Sequence, residues 1–298
     1  MTKKFDFSGT GVAIITPFRK DGSIDFKSLE KLIEHLIKGN VEYIVSMGTT
    51  GEASTLNKDE KAAVAGHILD VAAKRIPVVL GIGGNNTAEV VHSIEHADLK
   101  RIAAILSVSP YYNKPSQQGI FEHYKAICSV SPLPIIIYNV PGRTSSNITA
   151  ETTLRMANDI ENIAGIKEAS GNFAQIMKTI KYRPKDFKVI SGDDLLTLPI
   201  LSCGGDGVIS VVANAFPYFF SEMTRQALKG NFAAAAKLHY KLTDITDLLF
   251  SDGSPGGVKA ALEILGICLN HLRLPLVPIN RKVYNAINEE VLKLEMES

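Results

Sequence analysis

The run Asn162-Ile163-Ala164-Gly165-Ile166-Lys167-Glu168-Ala169-Ser170 reads as a short strand and is the sixth of eight such runs in the chain. The others are Gly11–Phe18, Glu42–Gly48, Val78–Gly83, Ala103–Ser109, Pro134–Val140, Lys188–Asp193 and Gly207–Val212. Each is apolar and rich in β-branched residues, and each precedes a longer stretch with helical spacing. Asp25–Lys38 and Asn57–Lys74 are the clearest of these helices. Asp25 and Asn57 are suited to cap their starts, and Gly39 to end the first. Strands that alternate with helices pair in parallel, and eight such units over about 220 residues match an α/β fold of the (β/α)8 TIM-barrel type. An open doubly wound sheet is the alternative. Residues 1–228 are therefore expected to form the barrel, which would carry the chemistry. From 229 to 298 no strand pattern continues, but helical stretches recur around Phe232–Phe250, Val258–Leu269 and Asn280–Leu294. This C-terminal helical extension is expected to dock on the barrel, because no linker-like stretch precedes it.

Within the sixth run, alternation puts Gly165, Lys167 and Ala169 on one face and Ile166 and Glu168 on the other. Lys167 then has small neighbours and no carboxylate on its own side of the strand. A long amine in such a space is poorly solvated when charged, which favours the neutral nucleophile. The plainer reading is a lysine at a strand end with its head in water, so the rest of the chain must decide.

Composition narrows the choice. The 298 residues are 45% hydrophobic and 21% charged, which suits a globular chain with a large core. A formal charge of +1 with interspersed signs leaves no footprint for nucleic acid or an anionic membrane. The apolar run Val12–Ile15 is ended by Thr16-Pro17 and is too short for a signal or membrane segment, so a cytoplasmic location is expected. Cys128, Cys203 and Cys268 have no paired spacing and read as core thiols in a reducing compartment.

In a barrel, functional groups come from the C-terminal ends of strands and the loops after them. The second run ends in Gly48-Thr49-Thr50-Gly51-Glu52, a small-residue turn with hydroxyls and N–H groups free to hold a carboxylate. The fourth ends in Ser109-Pro110-Tyr111-Tyr112-Asn113, and the fifth in Tyr138-Asn139-Val140-Pro141-Gly142-Arg143-Thr144. Each of these residues alone has a bland explanation as packing or solvated charge. Their gathering at one end of one barrel, level with Lys167, does not.

Three weaker signals are set aside. His92-Ser93-Ile94-Glu95-His96 fits a zinc-peptidase pattern, but it falls on the third barrel helix, outside the barrel, with no third ligand. Gly81-Ile82-Gly83-Gly84 starts like a dinucleotide loop yet lacks its last glycine and its ribose acid. Asp193-Asp194 reads as a helix N-cap rather than a metal site.

The motifs Gly48–Glu52, Pro110–Asn113, Tyr138–Thr144, Gly165–Ser170 and Ser191-Gly192-Asp193-Asp194 resemble those of the dihydrodipicolinate synthase family, within the lysine-dependent pyruvate aldolase superfamily, and the likeness runs through the whole chain. The resemblance implies condensation of pyruvate with L-aspartate 4-semialdehyde, without metal or organic cofactor. It implies Lys167 as the Schiff-base lysine and Tyr138, Thr49 and Tyr112 as a hydroxyl relay, with Tyr112 contributed by a neighbouring subunit of a homo-oligomer, a tetramer in most relatives. It implies Thr50 for the pyruvate carboxylate, Gly192 and Ile209 lining the lysine pocket, and Arg143 for the carboxylate of the second substrate. Arg143 is the discriminating residue, since sugar-acid aldolases of the superfamily generally have others there. A family lysine-feedback site would correspond to Ala53, Ser54, Lys58, Lys61, Asn85, Glu89 and Tyr111. Lys58 and Lys61 stand where well-inhibited members have histidines, and added positive charge opposes a cationic effector. Two rival readings follow: a sugar-acid aldolase of the same superfamily, and a catalytically idle barrel that binds 2-keto acids.

Overall fold

Alternation along a barrel strand sends one row of side chains into the barrel and the other toward the helices. The computed structural model describes residues 6–296 and shows that division clearly. The strands are β1 (Gly9–Ala13), β2 (Tyr43–Ser46), β3 (Val78–Gly81), β4 (Ala104–Val108), β5 (Ile135–Asn139), β6 (Ile163–Glu168), β7 (Lys188–Ser191) and β8 (Gly207–Ser210). They are parallel and close in chain order, β1 pairing with β8, so the closed barrel is realised and the open sheet is not. Ala13, Tyr43, Val45, Val79, Ala104, Leu106, Ile136, Ile190 and Ile209 fill the interior. Val12, Ile44, Val78, Ile105, Ile137, Ile166 and Val208 face the helical layer. Gly11 has a steric reason to be glycine, because a Cβ there would lie 2.2 Å from the ring of buried Tyr43.

One irregularity matters for the site. The β5–β6 register shifts so that Ile135 pairs with Ile163 but Ile136 with Gly165, leaving Ala164 as an extra residue. Such a bulge resets which side chains face inward. From Gly165 onward the expected faces hold, and Lys167 stands beside Tyr138.

The capping expectations hold for the first two helices. The Asp25 side chain accepts from Ser28 N at the start of α1 (Phe26–Lys38), and Gly39 follows its end. Asn57 and Glu60 form a reciprocal capping box at the start of α2 (Lys58–Ala72). This helix stops short of Lys74 because Ala73 and Lys74 both adopt positive φ, 47° and 64°. The first strand also needs correction. Pairing covers Gly9–Ala13 rather than Gly11–Phe18, because beyond Ile14 the backbone is taken up elsewhere: Ile15 N donates to Asn214 Oδ1 at 3.1 Å.

The remaining helices of the barrel layer are α3 (Thr87–Glu95), α4 (Gln117–Val130), α5 (Pro141–Thr144), α6 (Ala150–Asp159), α7 (Phe173–Tyr182), α8 (Thr197–Ser202) and α9 (Pro217–Leu228). After them come α10 (Phe232–Phe250), α11 (Gly256–Ile264) and α12 (Arg281–Met296). The helix α10 packs on α9 and α12. The helix α11 ends five residues before the expected Leu269, where Ile267 N returns to Leu262 O at 2.8 Å around Gly266, whose φ is +68°. Among the described residues, no helix is long and apolar enough to cross a membrane.

Candidate active site

The side chain of Lys167 enters the barrel interior near its C-terminal mouth and is 5% exposed. Among the described residues it has no hydrogen bond or ion pair, and its Nζ lies 4.3 Å from the centre of the Tyr138 ring. Gly192 keeps the other side open: a Cβ at that position would fall 3.0 Å from Lys167 Cε. Ile209, on β8, lies buried in the same interior cluster as Tyr138. An amine held against a phenol ring, without a paired carboxylate, is placed to attack a carbonyl carbon.

The strand ends around it are held by continuations of the ladders. Ser109 N donates to Tyr138 O, Ala169 N to Asn139 O and Gly192 N to Glu168 O, at 2.9, 2.9 and 2.8 Å. Glu168 points to the other face, as alternation requires. It accepts from Asn139 Nδ2, Ser170 N and Gln175 Nε2, and burial raises its carboxyl above the ordinary value despite those bonds. Asn139 in turn receives Ile148 N on its Oδ1 at 3.0 Å, which fastens the loop after α5 to the end of β5. Arg143, on α5, is exposed beside buried Thr144.

The turn after β2 has Thr50 buried and Thr49 exposed. Two residues with left-handed φ bracket it, Met47 at 59° and Glu52 at 53°. Thr16 Oγ1 donates to Gly51 O at 2.7 Å, which ties the turn to the chain leaving β1.

Tyr112 is not gathered into this site. Its side chain is 88% exposed, with φ 71°, while the neighbouring Tyr111 is less open. Of the residues that the resemblance would assign to a lysine-feedback site, Ala53 and Ser54 lie on a short 3-10 turn. Lys58 and Lys61 lie at the start of α2, Asn85 follows β3, and Glu89 lies in the first turn of α3. Asn113 Nδ2 donates to Asn85 O at 3.0 Å, joining two segments of that exposed rim.

His92 and His96 lie at the end of α3 on the barrel's exterior, where His96 Nδ1 meets His92 O at 2.8 Å. Asn86 caps α3 by accepting from Ala88 N, which makes the glycine-rich loop a strand-to-helix turn. The paired aspartates divide. Asp193 caps the turn leading into α8 through Leu195 N and Leu196 N. Asp194 departs from the N-cap expectation: it is buried and accepts from Ser210 Oγ and Val211 N, so it pins the end of β8 instead. Desolvation pushes its carboxyl up to about 6, against the pull of those hydrogen bonds and the charge of Lys167. Among the described residues, no group of three or more His, Cys, Asp or Glu side chains could hold a metal ion.

Sequence reading missed one further arrangement. Lys259, within the apolar run Val258-Lys259-Ala260-Ala261-Leu262, forms a wholly buried ion pair with Glu52. Its signal was available, since it is a second lone lysine in an apolar stretch, but its partner lies 207 residues away.

A buried, unpaired lysine at the mouth of a closed parallel barrel defines the class: a lysine-bearing (β/α)8-barrel enzyme. Comparison with known proteins narrows it. The model of the Dihydrodipicolinate synthetase family matches residues 6–294, and the chain belongs to that family. A 4-hydroxy-tetrahydrodipicolinate synthase of Flavobacterium psychrophilum is 50% identical over 282 residues, covering 95% of this chain and 96% of that one. The dihydrodipicolinate synthase structure from Thermotoga maritima superimposes with a TM-score of 0.94 at 40% identity, over 97% of this chain and 99% of that one. A chloride-inhibited dihydrodipicolinate synthase from Acinetobacter baumannii, solved in complex with pyruvate, gives a TM-score of 0.93 at 41% identity, over 97% and 98%.

Proposed function

We propose that the chain is a lyase that condenses pyruvate with L-aspartate 4-semialdehyde to 4-hydroxy-tetrahydrodipicolinate, the committed step toward diaminopimelate and lysine. The observation that carries this reading is the unpaired, buried Lys167 beside Tyr138, in a chain half identical to a synthase of that name. Lys167 attacks the pyruvate ketone and, with loss of water, forms a Schiff base. The cationic nitrogen then draws electrons so that the methyl group loses a proton. The resulting enamine attacks the aldehyde, and the amine of the second substrate displaces Lys167 by transimination, closing the ring. Tyr138, Thr49 and Tyr112 relay protons, Thr50 with nearby N–H groups holds the pyruvate carboxylate, and Gly192 and Ile209 shape the lysine pocket. Arg143 clamps the carboxylate of the semialdehyde, a task that suits a planar guanidinium. Every step uses side chains and substrate groups alone, so the reading assigns no metal or organic cofactor.

In this reading residues 1–228 carry the chemistry and 229–298 form the helical extension. The exposure of Tyr112 favours a homo-oligomer, a tetramer built as a dimer of dimers, in which that phenol completes a neighbour's relay. The pathway reading favours the cytoplasm. Substrate choice is decided by assay: pyruvate with aspartate semialdehyde should be turned over, while N-acetylneuraminate and 2-keto-3-deoxygluconate should not be cleaved. The reverse pattern would make the chain a sugar-acid aldolase.

The residues corresponding to the lysine-feedback site include two exposed lysines, Lys58 and Lys61. Their charge repels a cationic amino acid. Initial rates are therefore expected to fall by no more than about twofold at millimolar lysine, and strong inhibition at low concentration would refute this expectation of weak or absent feedback.

A further inference from the structure

The turn assigned to pyruvate ends at Glu52, and Glu52 is held from outside the barrel. Its carboxylate accepts Lys259 Nζ on one oxygen and Arg273 N, at 3.1 Å, on the other. Both partners belong to the C-terminal extension. Lys259 Nζ also donates to His271 O at 2.8 Å, so the ammonium is bound on two sides. The Arg273 guanidinium reaches Gly22 O at 2.9 Å, Thr55 O at 3.0 Å and both oxygens of Glu60 at 2.8 and 2.6 Å. Both cations lie against the ring of Phe18, 4.3 and 4.6 Å from its centre. The grip is thus applied to Glu52, to the 3-10 turn after it and to the first turn of α2.

Three features make this more than packing. The pair is fully buried, and a buried ion pair is a weak source of stability that apolar residues of similar size often match, so its best-attested use is to set register. Glu52 is a non-glycine residue with φ 53°, a conformation that persists only when its surroundings over-determine it. Its backbone N–H donates to Thr49 O at 3.0 Å, so the position of Glu52 passes directly to the threonine pair.

We propose that Glu52, Lys259 and Arg273 are positioning residues by which the C-terminal extension sets the Thr49–Thr50 turn and so the enzyme's affinity for the carboxylate of its 2-keto acid substrate. This rests on the assignment of that turn to pyruvate. The test uses the full-length chain with the paired substitution Glu52→Gln and Lys259→Met, which removes both charges at nearly constant volume. The paired variant should keep its melting temperature within a few degrees. It should require at least about tenfold more pyruvate for half-maximal borohydride-trapped adduct at Lys167, with kcat at saturating pyruvate much less affected. A folded paired variant with pyruvate half-saturation within about twofold of the parent overturns the inference. Should the pair fail to fold, Arg273→Ala, at the more open end of the grip, is expected to weaken pyruvate capture in the same direction, and an unchanged half-saturation there is equally fatal. Thr50→Val separates the two levels. If it leaves pyruvate capture unchanged, the turn is not the carboxylate site and the inference falls with it. If Thr50→Val weakens capture and the paired variant does not, only the positioning role is lost.

Discussion

Replacing Lys167 with alanine is expected to abolish the borohydride-trapped pyruvate adduct and to lower kcat by about four orders of magnitude or more, as removal of a nucleophile does elsewhere. The chain should still fold. Lys167 has no hydrogen bond or ion pair among the described residues, so its removal strands no buried partner, and Gly192 and Ala169 beside it are already small. Circular dichroism should therefore show native content in the inactive variant. Mass spectrometry of the reduced adduct in the parent should place pyruvate on Lys167. An adduct on another lysine, or one that survives Lys167→Ala, would remove the Schiff-base mechanism. Lys259 is the instructive control within the same molecule. It is equally lone in sequence and more deeply buried, but it is neutralised by Glu52 and closed off from the barrel mouth, so it should never be labelled.

Arg143→Ala should divide the two half-reactions. The guanidinium is exposed, and the turn that carries it is held by backbone and by neighbours: Arg143 N donates to Val140 O at 2.9 Å, and Thr144 Oγ1 to Ser146 O at 2.8 Å. Truncation should therefore leave fold and pyruvate adduct intact. Loss of a bidentate charge-assisted contact is worth about 3 kcal/mol, so kcat/KM for the semialdehyde should fall by about 10²-fold. Arg143→Lys should recover little, because an ammonium cannot reproduce the fork. Equal loss of pyruvate trapping and semialdehyde use would contradict a role confined to the second substrate.

The paired-charge experiment connects to both predictions. If the extension sets the Thr49–Thr50 turn, its loss should resemble a pyruvate-binding defect, opposite in substrate dependence to Arg143→Ala. The two variants then report on two sides of one site.

What was legible in the chain alone follows from how far each signal reaches. Strand and helix periodicities are local, so eight alternations announced the barrel, and the caps Asp25 and Asn57 located two helix starts from side chains three residues from their targets. Local patterns were less good at strand ends. Nothing within Gly11–Phe18 shows that Ile15 is claimed by Asn214, 199 residues later. The β6 bulge is a comparable case, since alternation from Lys167 outward gave the right faces near the lysine but not at Ile163, where an extra residue changes the count.

The sequence by itself determined the barrel, the place of Lys167 near the end of its sixth strand, and the positions of Tyr138 on β5 and of Thr49, Thr50 and Arg143 just after β2 and β5, because these depend on spacing that each strand carries within itself. Only the tertiary structure decided which group meets each buried charge: Glu52 with the Lys259 ammonium and the backbone N–H of Arg273, Asp194 with Ser210, and Lys167 with the Tyr138 ring but no hydrogen bond or ion pair among the described residues. Only it showed Tyr112 turned outward. The physical reason is that a buried charge is satisfied by whatever the closed fold brings alongside it, and closure joins residues some two hundred positions apart that share no local pattern.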